Sequence, residues 1–291
     1  MTTRYRVVHR TEYAYGGSIN SEQTIAHLLP RDSYVQTVVH ADVACSPAPT
    51  FRRDYLDAFG NHTTYWSIEE PHEGLVVTAM CLVDTNTSVV PPTSPAWDDV
   101  SWMTADEHST DALMAMLCSQ RSGLAPASEV LAEYARPSFP PRRPIYEAAV
   151  EFCHRLHQDI TFVSGSTDVT TPAEEVLRRR EGVCQDFAHL AIGALRSIGL
   201  PARYVSGYVE TEPPEGMPKM IGSDASHAWF ATFIPGWGWF DLDPTNDQAP
   251  PERHVTLAWG RDYTDVAPLR GVLFGPTVDQ QLSVSVDVTR V

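Results

Sequence analysis

Arg180-Glu181-Gly182-Val183-Cys184-Gln185-Asp186-Phe187-Ala188-His189-Leu190 is the stretch on which the fold turns. Arg178, Arg179 and Arg180 close one helical pattern, Gly182 interrupts it, and a second apolar-periodic run begins at Cys184. Phe187, Ala191, Ala194, Leu195 and Ile198 recur at helical spacing, and Gly199 with Pro201 ends the run. Cys184 is thereby expected in the first turn of a helix, where unpaired N–H groups and the helix dipole favour an anion. A thiol so placed is more acidic, and the thiolate is its nucleophilic form. A free cysteine is more often an inert apolar residue. Cys184 therefore gains chemical meaning only if the chain also supplies a base.

The base is found downstream. Ser226-His227-Ala228-Trp229-Phe230-Ala231-Thr232-Phe233 reads as a strand, Ile234-Pro235-Gly236 as a turn, and Trp237-Gly238-Trp239-Phe240-Asp241-Leu242-Asp243 as the returning strand, stopped by Pro244. A hairpin centred on Pro235 sets His227 and Asp243 opposite one another, within side-chain reach. Asp241 shares that face, because strand side chains alternate, and a one-residue slip would break the pairing. An aspartate accepting from one imidazole nitrogen leaves the other free to take a thiol proton.

These segments resemble a known family. Gly182-Val183-Cys184-Gln185-Asp186, Leu200-Pro201-Ala202-Arg203-Tyr204-Val205-Ser206-Gly207-Tyr208, His227-Ala228-Trp229 and Asp243-Pro244-Thr245-Asn246 are similar to the core of the bacterial transglutaminase-like superfamily. The resemblance implies a Cys-His-Asp triad on a papain-like α+β core, with Cys184, His227 and Asp243 in the three roles. The family's acid directly precedes proline, which favours Asp243 over Asp241. Tyr5-Arg6-Val7-Val8-His9-Arg10-Thr11-Glu12-Tyr13-Ala14-Tyr15, Leu29-Pro30-Arg31 and Asp57-Ala58-Phe59-Gly60-Asn61 resemble the β-rich region that precedes the core in one bacterial branch. So does the tail, Gly260-Arg261-Asp262-Tyr263 with Ala267-Pro268-Leu269-Arg270-Gly271. The resemblance is weakest from about Pro91 to Arg143.

Composition bounds the alternatives. A chain of 291 residues carries one large or two modest domains. The net charge of −16, from 37 acidic and 21 basic residues, disfavours nucleic acid as a partner. Five cysteines, at 45, 81, 118, 153 and 184, form no CxxC pair, and no HExxH motif occurs, so neither a disulfide framework nor a zinc centre is expected. No acidic loop of the EF type suggests calcium, and no cofactor is expected. The opening Met1-Thr2-Thr3-Arg4-Tyr5 enters a strand pattern without an apolar leader, and no run reaches roughly 18 apolar residues. A cytoplasmic protein with no membrane partner is expected.

Residues 1–90 read as strands separated by turns, suggesting a β-sandwich or open barrel. Val90-Pro91-Pro92-Thr93-Ser94-Pro95 marks the boundary to a linker and helical segment over 91–143. Within it, helices are expected from Ser109 and over Ser128 to Ala135. The core is expected over 144–250, with a helix from Ile145 to His157 that buries Cys153 and exposes His154, and a helix that starts at Pro172. Residues 251–291 read as a C-terminal extension ending in a strand. The Pro- and Gly-rich stretch from Glu210 to Ser226 could border the cleft. Trp229, Trp237 and Trp239 are candidate walls of a substrate cleft. Gln185 is a candidate oxyanion donor. Asp186 is a candidate support that also suits a helix's first turn on its own, and His189 is expected in the core.

Three functions remain open: a cysteine amide hydrolase or peptidase acting on a peptide or amide substrate, which the triad favours; an acyltransferase joining a glutamine-type acyl donor to an amine; and a non-catalytic binding module. The last would show a missing triad residue, and none is missing.

Overall fold

The computed structural model describes residues 2–87, 89–211, 226–249, 251–277 and 279–291. Its first part is all β: β1 (Thr2–Ile19), β2 (Ser21–Ala26), β3 (Gln36–Ser46), β4 (Phe51–Leu56), β5 (His62–Ile68) and β6 (His72–Asn86). β1 follows its own alternation: Tyr5, Val7, His9 and Thr11 are buried, while Arg4, Arg6, Arg10 and Glu12 face water or the rim. A helical stretch follows, with α1 (Val100–Asp106), α2 (Thr110–Cys118), α3 (Glu129–Ala135) and α4 (Ile145–Asp159). Ser109 and Ser128 cap α2 and α3 by accepting from the N–H groups of Ala112 and Leu131. Cys153 is buried on α4 and His154 is exposed, as their places in the helical period require.

The remainder carries β7 (Thr161–Phe162), α5 (Ala173–Arg179), β8 (Glu181–Gly182), α6 (Cys184–Ser197), β9 (Ala202–Val209), β10 (Ser226–Ile234), β11 (Gly238–Leu242), β12 (His254–Gly260), α7 (Tyr263–Val266), β13 (Leu269–Phe274) and β14 (Gln280–Arg290). Three four-stranded antiparallel sheets result, ordered β14-β1-β6-β3, β13-β2-β5-β4 and β11-β10-β9-β12. The first two enclose Ile19, Val43, Trp66, Ile68, Leu75 and Val77 as a sandwich. The third lies against α6, and the whole is an α+β fold.

Residues 251–291, read from sequence as an extension, are distributed over all three sheets. β12 is an edge of the third sheet beside β9, β13 pairs with β2, and β14 pairs with β1 from Tyr5↔Arg290 to Tyr15↔Gln280. Short alternating strands do not announce distant partners, because a lone strand's pattern fixes its faces and not its neighbours.

One buried cluster joins the β1 sheet to the α6 core. Tyr5, Val7, Val83, Val286 and Val288 pack with Phe152, Phe187, Leu190, Tyr208 and Phe230. Arg196 reinforces the core: its guanidinium donates to Cys118 O, Ala125 O, Ala202 O, Arg261 O and Ser122 Oγ. Because one buried cluster spans the β1 sheet and the α6 core, tryptophan fluorescence and far-UV circular dichroism should report coincident denaturant transitions. Val286→Ala, which removes a fully buried side chain from the shared cluster, should lower stability by about 2 kcal/mol. A transition that splits in two, or an unmoved midpoint, would count against a shared core.

Candidate active site

α6 is buried from Asp186 to Arg196, so it runs through the core as an enclosed helix and not as an amphipathic surface one. Its start is fixed by Asp186, whose Oδ2 accepts the Val183 N–H at 2.8 Å and the Thr167 hydroxyl at 2.5 Å. Gly182 makes room, since a Cβ there would lie 2.9 Å from the Asp186 carboxylate. Burial raises the Asp186 pKa against the pull of these two bonds. Asp186 is thus a helix-capping group. His189, also buried, is driven down to about 4 by burial; its Nε2 accepts the Tyr263 N–H at 3.2 Å.

The cap presents Cys184, half-buried, as the first residue of α6. Its sulfur shares a cleft with the His227 imidazole and interacts with it electrostatically. His227 Nε2 lies 2.8 Å from Asp243 Oδ2, which leaves Nδ1 for the thiol. Burial alone would lower the imidazole pKa. The bond to Asp243 and the neighbouring Cys184 overcome that penalty and hold it up at about 10.

The hairpin register differs from the expected one. Ile234 pairs with Gly238, so the loop centres on Gly236, at φ 76°, and not on Pro235. The shift is by two residues and preserves the face. Asp243 therefore meets His227 as a diagonal and not a directly opposed neighbour. The competing acid is engaged elsewhere: Asp241 Oδ2 accepts the Trp229 Nε1–H at 3.0 Å, and Oδ1 lies 4.0 Å from Arg203.

Two further residues meet at Asp243 that sequence reasoning had given no role. His254 Nε2, on β12, lies 2.8 Å from Oδ2, and Asn246 Nδ2 donates to the same oxygen at 2.6 Å. Oδ1 accepts the backbone N–H groups of Thr245 at 3.0 Å and Asn246 at 3.3 Å. Asp243 is fully buried, yet these bonds outweigh the desolvation penalty and keep its pKa below the usual carboxylate range. Asn246 sits in the quoted Asp-Pro-Thr-Asn motif; for His254 no local signal exists. His227, Asp243 and His254 bring two nitrogens and a carboxylate oxygen within 4.8 Å of one another, a set that could hold a divalent ion. The two direct 2.8 Å contacts instead put a proton on each Nε2.

A cleft of about 320 Å³ opens at Cys184, bounded by Gln185, Tyr204, His227 and Tyr263 and, across from them, by Thr11, Tyr13, Leu282 and Val284. Gln185 reaches this cleft, while its amide donates to Val169 O at 3.2 Å. The three tryptophans expected in a substrate wall lie elsewhere. Trp229, Trp237 and Trp239 line a second cavity of about 130 Å³ with Arg203, His254 and Trp259. Ala228 and Phe230 join the α6 core while Trp229 and Ala231 form their own cluster, so this cavity lies on the face of the sheet turned away from α6. Arg203 is stacked there, 4.3 Å from the Trp239 ring and 3.7 Å from that of Trp259. Most of the loop expected to border the cleft, residues 212–225, lies outside the described residues.

Family models match over residues 5–84, for the bacterial transglutaminase-like N-terminal region, and over residues 133–244, for the transglutaminase-like superfamily. The chain is 41% identical over 295 residues to an uncharacterized protein of Mycobacterium tuberculosis, covering 99% of this chain and 93% of that protein. It is 36% identical over 96 residues to a protein-glutamine gamma-glutamyltransferase of Pseudomonas aeruginosa, covering 31% of this chain and 14% of that protein. The fold is similar to the crystal structure of a candidate cysteine protease from Cytophaga hutchinsonii, at a TM-score of 0.75 and 20% identity, covering 100% of this chain and 91% of that one. The chain belongs to the transglutaminase-like superfamily, in the branch that carries the bacterial N-terminal β region.

Proposed function

We propose that this chain is a cysteine-nucleophile amide hydrolase, with Cys184 as nucleophile, His227 as acid–base and Asp243 as its orienter. The observation that carries this reading is that Cys184 and His227 share one cleft while His227 Nε2 is held at 2.8 Å by the buried Asp243. The thiolate attacks an amide carbonyl, and the resulting oxyanion lies near the unpaired N–H groups at the start of α6. The His227 imidazolium protonates the departing amine, which leaves a thioester on Cys184. His227, now neutral, takes a proton from water; attack of the resulting hydroxide on the thioester releases the acid and returns the thiolate beside the His227 imidazolium. A reducing compartment such as the cytoplasm suits this nucleophile and the four other free cysteines.

A second reading, transfer of the acyl group to an amine, is favoured by the match to the Pseudomonas glutamyltransferase. The triad is the same and the difference lies in what resolves the thioester. With a primary amine at millimolar concentration, free acid should remain the main product by mass spectrometry. Mostly amide would establish the transferase.

Cys184 should be the thiol alkylated first in a brief iodoacetamide pulse at neutral pH. Burial pushes the Cys45 and Cys118 thiols up to about 11 and Cys81 to about 12, and raises Cys153 well above the ordinary value. Peptide mapping that finds any of these four modified as fast as Cys184 removes the basis for the nucleophile.

His227→Ala should cost roughly 10²- to 10⁴-fold in rate. Asp243→Asn should cost less, and Asp241→Asn least. A worse effect from Asp241→Asn would mean that the triad acid is misassigned.

The pair also sets a pH dependence of stability. His227 is raised from 6.5 to about 10, so its contribution is complete below pH 6.5 and fades as pH climbs toward 10. Asp243 is lowered from 3.8, so its contribution is present above that value and fades as acid protonates it. The gap in denaturant midpoint between wild type and Asp243→Asn should thus be widest from about pH 4 to 6.5. A gap that widens from pH 6.5 to 10 would contradict the ion pair.

A further inference from the structure

The mechanism leaves the motif His9-Arg10-Thr11-Glu12-Tyr13 of β1 without a role, although His9, Thr11 and Tyr13 line the same cleft as Cys184. Behind that wall runs a chain of buried polar groups. The Tyr208 hydroxyl lies 2.8 Å from His9 Nδ1, and His9 Nε2 lies 2.7 Å from Thr11 Oγ1. Tyr208 and His9 are 1% and 2% exposed and do not rely on bulk water, while Thr11, at 3%, borders the cleft.

Counting protons fixes the direction of the chain. The Tyr208 hydroxyl has one proton and, among the described residues, one hydrogen-bond partner, so it donates to His9 Nδ1. Burial lowers the His9 pKa to about 4, and the neutral ring then carries its single N–H on Nε2 and donates it to Thr11 Oγ1. The reverse direction would strand a buried Tyr208 proton away from any cleft, which is costly, whereas the Thr11 O–H lies on the cleft wall, where water or a ligand can accept it. Thr11 Oγ1 thus receives a proton from behind and keeps its own O–H as a donor, with no acceptor among the described residues.

The surroundings define what that donor meets. In a chain of net charge −16, no Asp, Glu, Lys or Arg is found among the described residues that line this cleft. Tyr13, Leu269, Leu282 and Val284 make the wall around Thr11 largely apolar.

We propose that Thr11 is a substrate-binding residue whose hydroxyl donates to a carbonyl oxygen of an uncharged peptide acyl donor lying between Cys184 and β1. Tyr208 and His9 are positioning residues that set the direction of the Thr11 proton. The N-terminal β region is therefore part of the binding site. This inference rests on Cys184 being the nucleophile.

Two reagents separate the claims: benzyloxycarbonyl-Phe-Ala fluoromethyl ketone, an uncharged peptidyl electrophile, and iodoacetamide, which carries no peptide. Thr11→Val should slow inactivation by the peptidyl reagent about 3- to 10-fold through weaker reversible binding, as expected for one lost neutral hydrogen bond. The iodoacetamide rate on Cys184 should follow wild type. Thr11→Ser should restore the peptidyl rate. Tyr208→Phe should reproduce the Thr11→Val loss with Thr11 intact, because the His9 proton moves to Nδ1 and the Thr11 O–H turns back onto Nε2. Unchanged peptidyl inactivation in Thr11→Val, or Thr11→Ser as slow as Thr11→Val, overturns the role of Thr11. A Cys184 inert to both reagents in wild type overturns the nucleophile, and the role of Thr11 with it.

Discussion

One carboxylate oxygen, Oδ2 of Asp243, accepts hydrogen bonds from His227, Asn246 and His254. A fully buried charge is tolerable only when its lone pairs are filled, so this oxygen constrains everything around it. His227 is on β10 and His254 on β12, and both strands flank β9. The groups that meet at Asp243 must therefore close over the end of β9, and Gly207 is what permits it. Gly207 pairs with His227 on one side and Thr256 on the other, and a Cβ there would come within 2.6 Å of the Trp229 ring. Trp229 lies nearly parallel to the His227 imidazole, with ring centroids 5.9 Å apart. Trp229 also donates to Asp241, which takes the second acid of the hairpin out of competition for the imidazole.

The two arginines of the α6–β9 connection show how a buried cation can be accommodated in different ways. Arg196 has a carbonyl or hydroxyl acceptor for each of its nitrogens and ties α2, β9 and β12 together. Arg203 relies on indole faces and a 4.0 Å approach to Asp241. Burial lowers both to about 10. Both stay charged at neutral pH, so the sheet carries an arginine on its Trp face while the Cys184 cleft has none among its described lining.

What could be read from sequence was what is local. The α6 start, the Ser109 and Ser128 caps, and the shared face of His227 and Asp243 follow from periods and turn chemistry within a few residues. The hairpin centre was displaced because the loop is Pro235-Gly236-Trp237, with Gly236 in the left-handed region; an even displacement left the face intact where an odd one would have turned Asp243 away. His254 could not be found, since its contact depends on β12 lying on the far side of β9. The tryptophans share the face of His227, but alternation does not say how far along that face the thiol reaches, and Trp229 and Trp239 line a separate cavity from Cys184. The β12, β13 and β14 pairings were equally hidden, being set by sheet order and not by the strands themselves.

The pairing of β14 with β1 has a consequence for the order in which the molecule can come into being. β1 leaves the ribosome early, but its outer edge has no partner until residues 280–290 have followed. The same holds for β2, which waits for β13. Contacts of such sequence separation form late, and an open edge invites wrong partners meanwhile. Leu282 and Val284 belong to that last segment and also border Cys184. The cleft around the thiol is thus completed only when nearly all of this sequence has been made, so a chain made only as far as β11 carries the thiol without the pocket that would aim it.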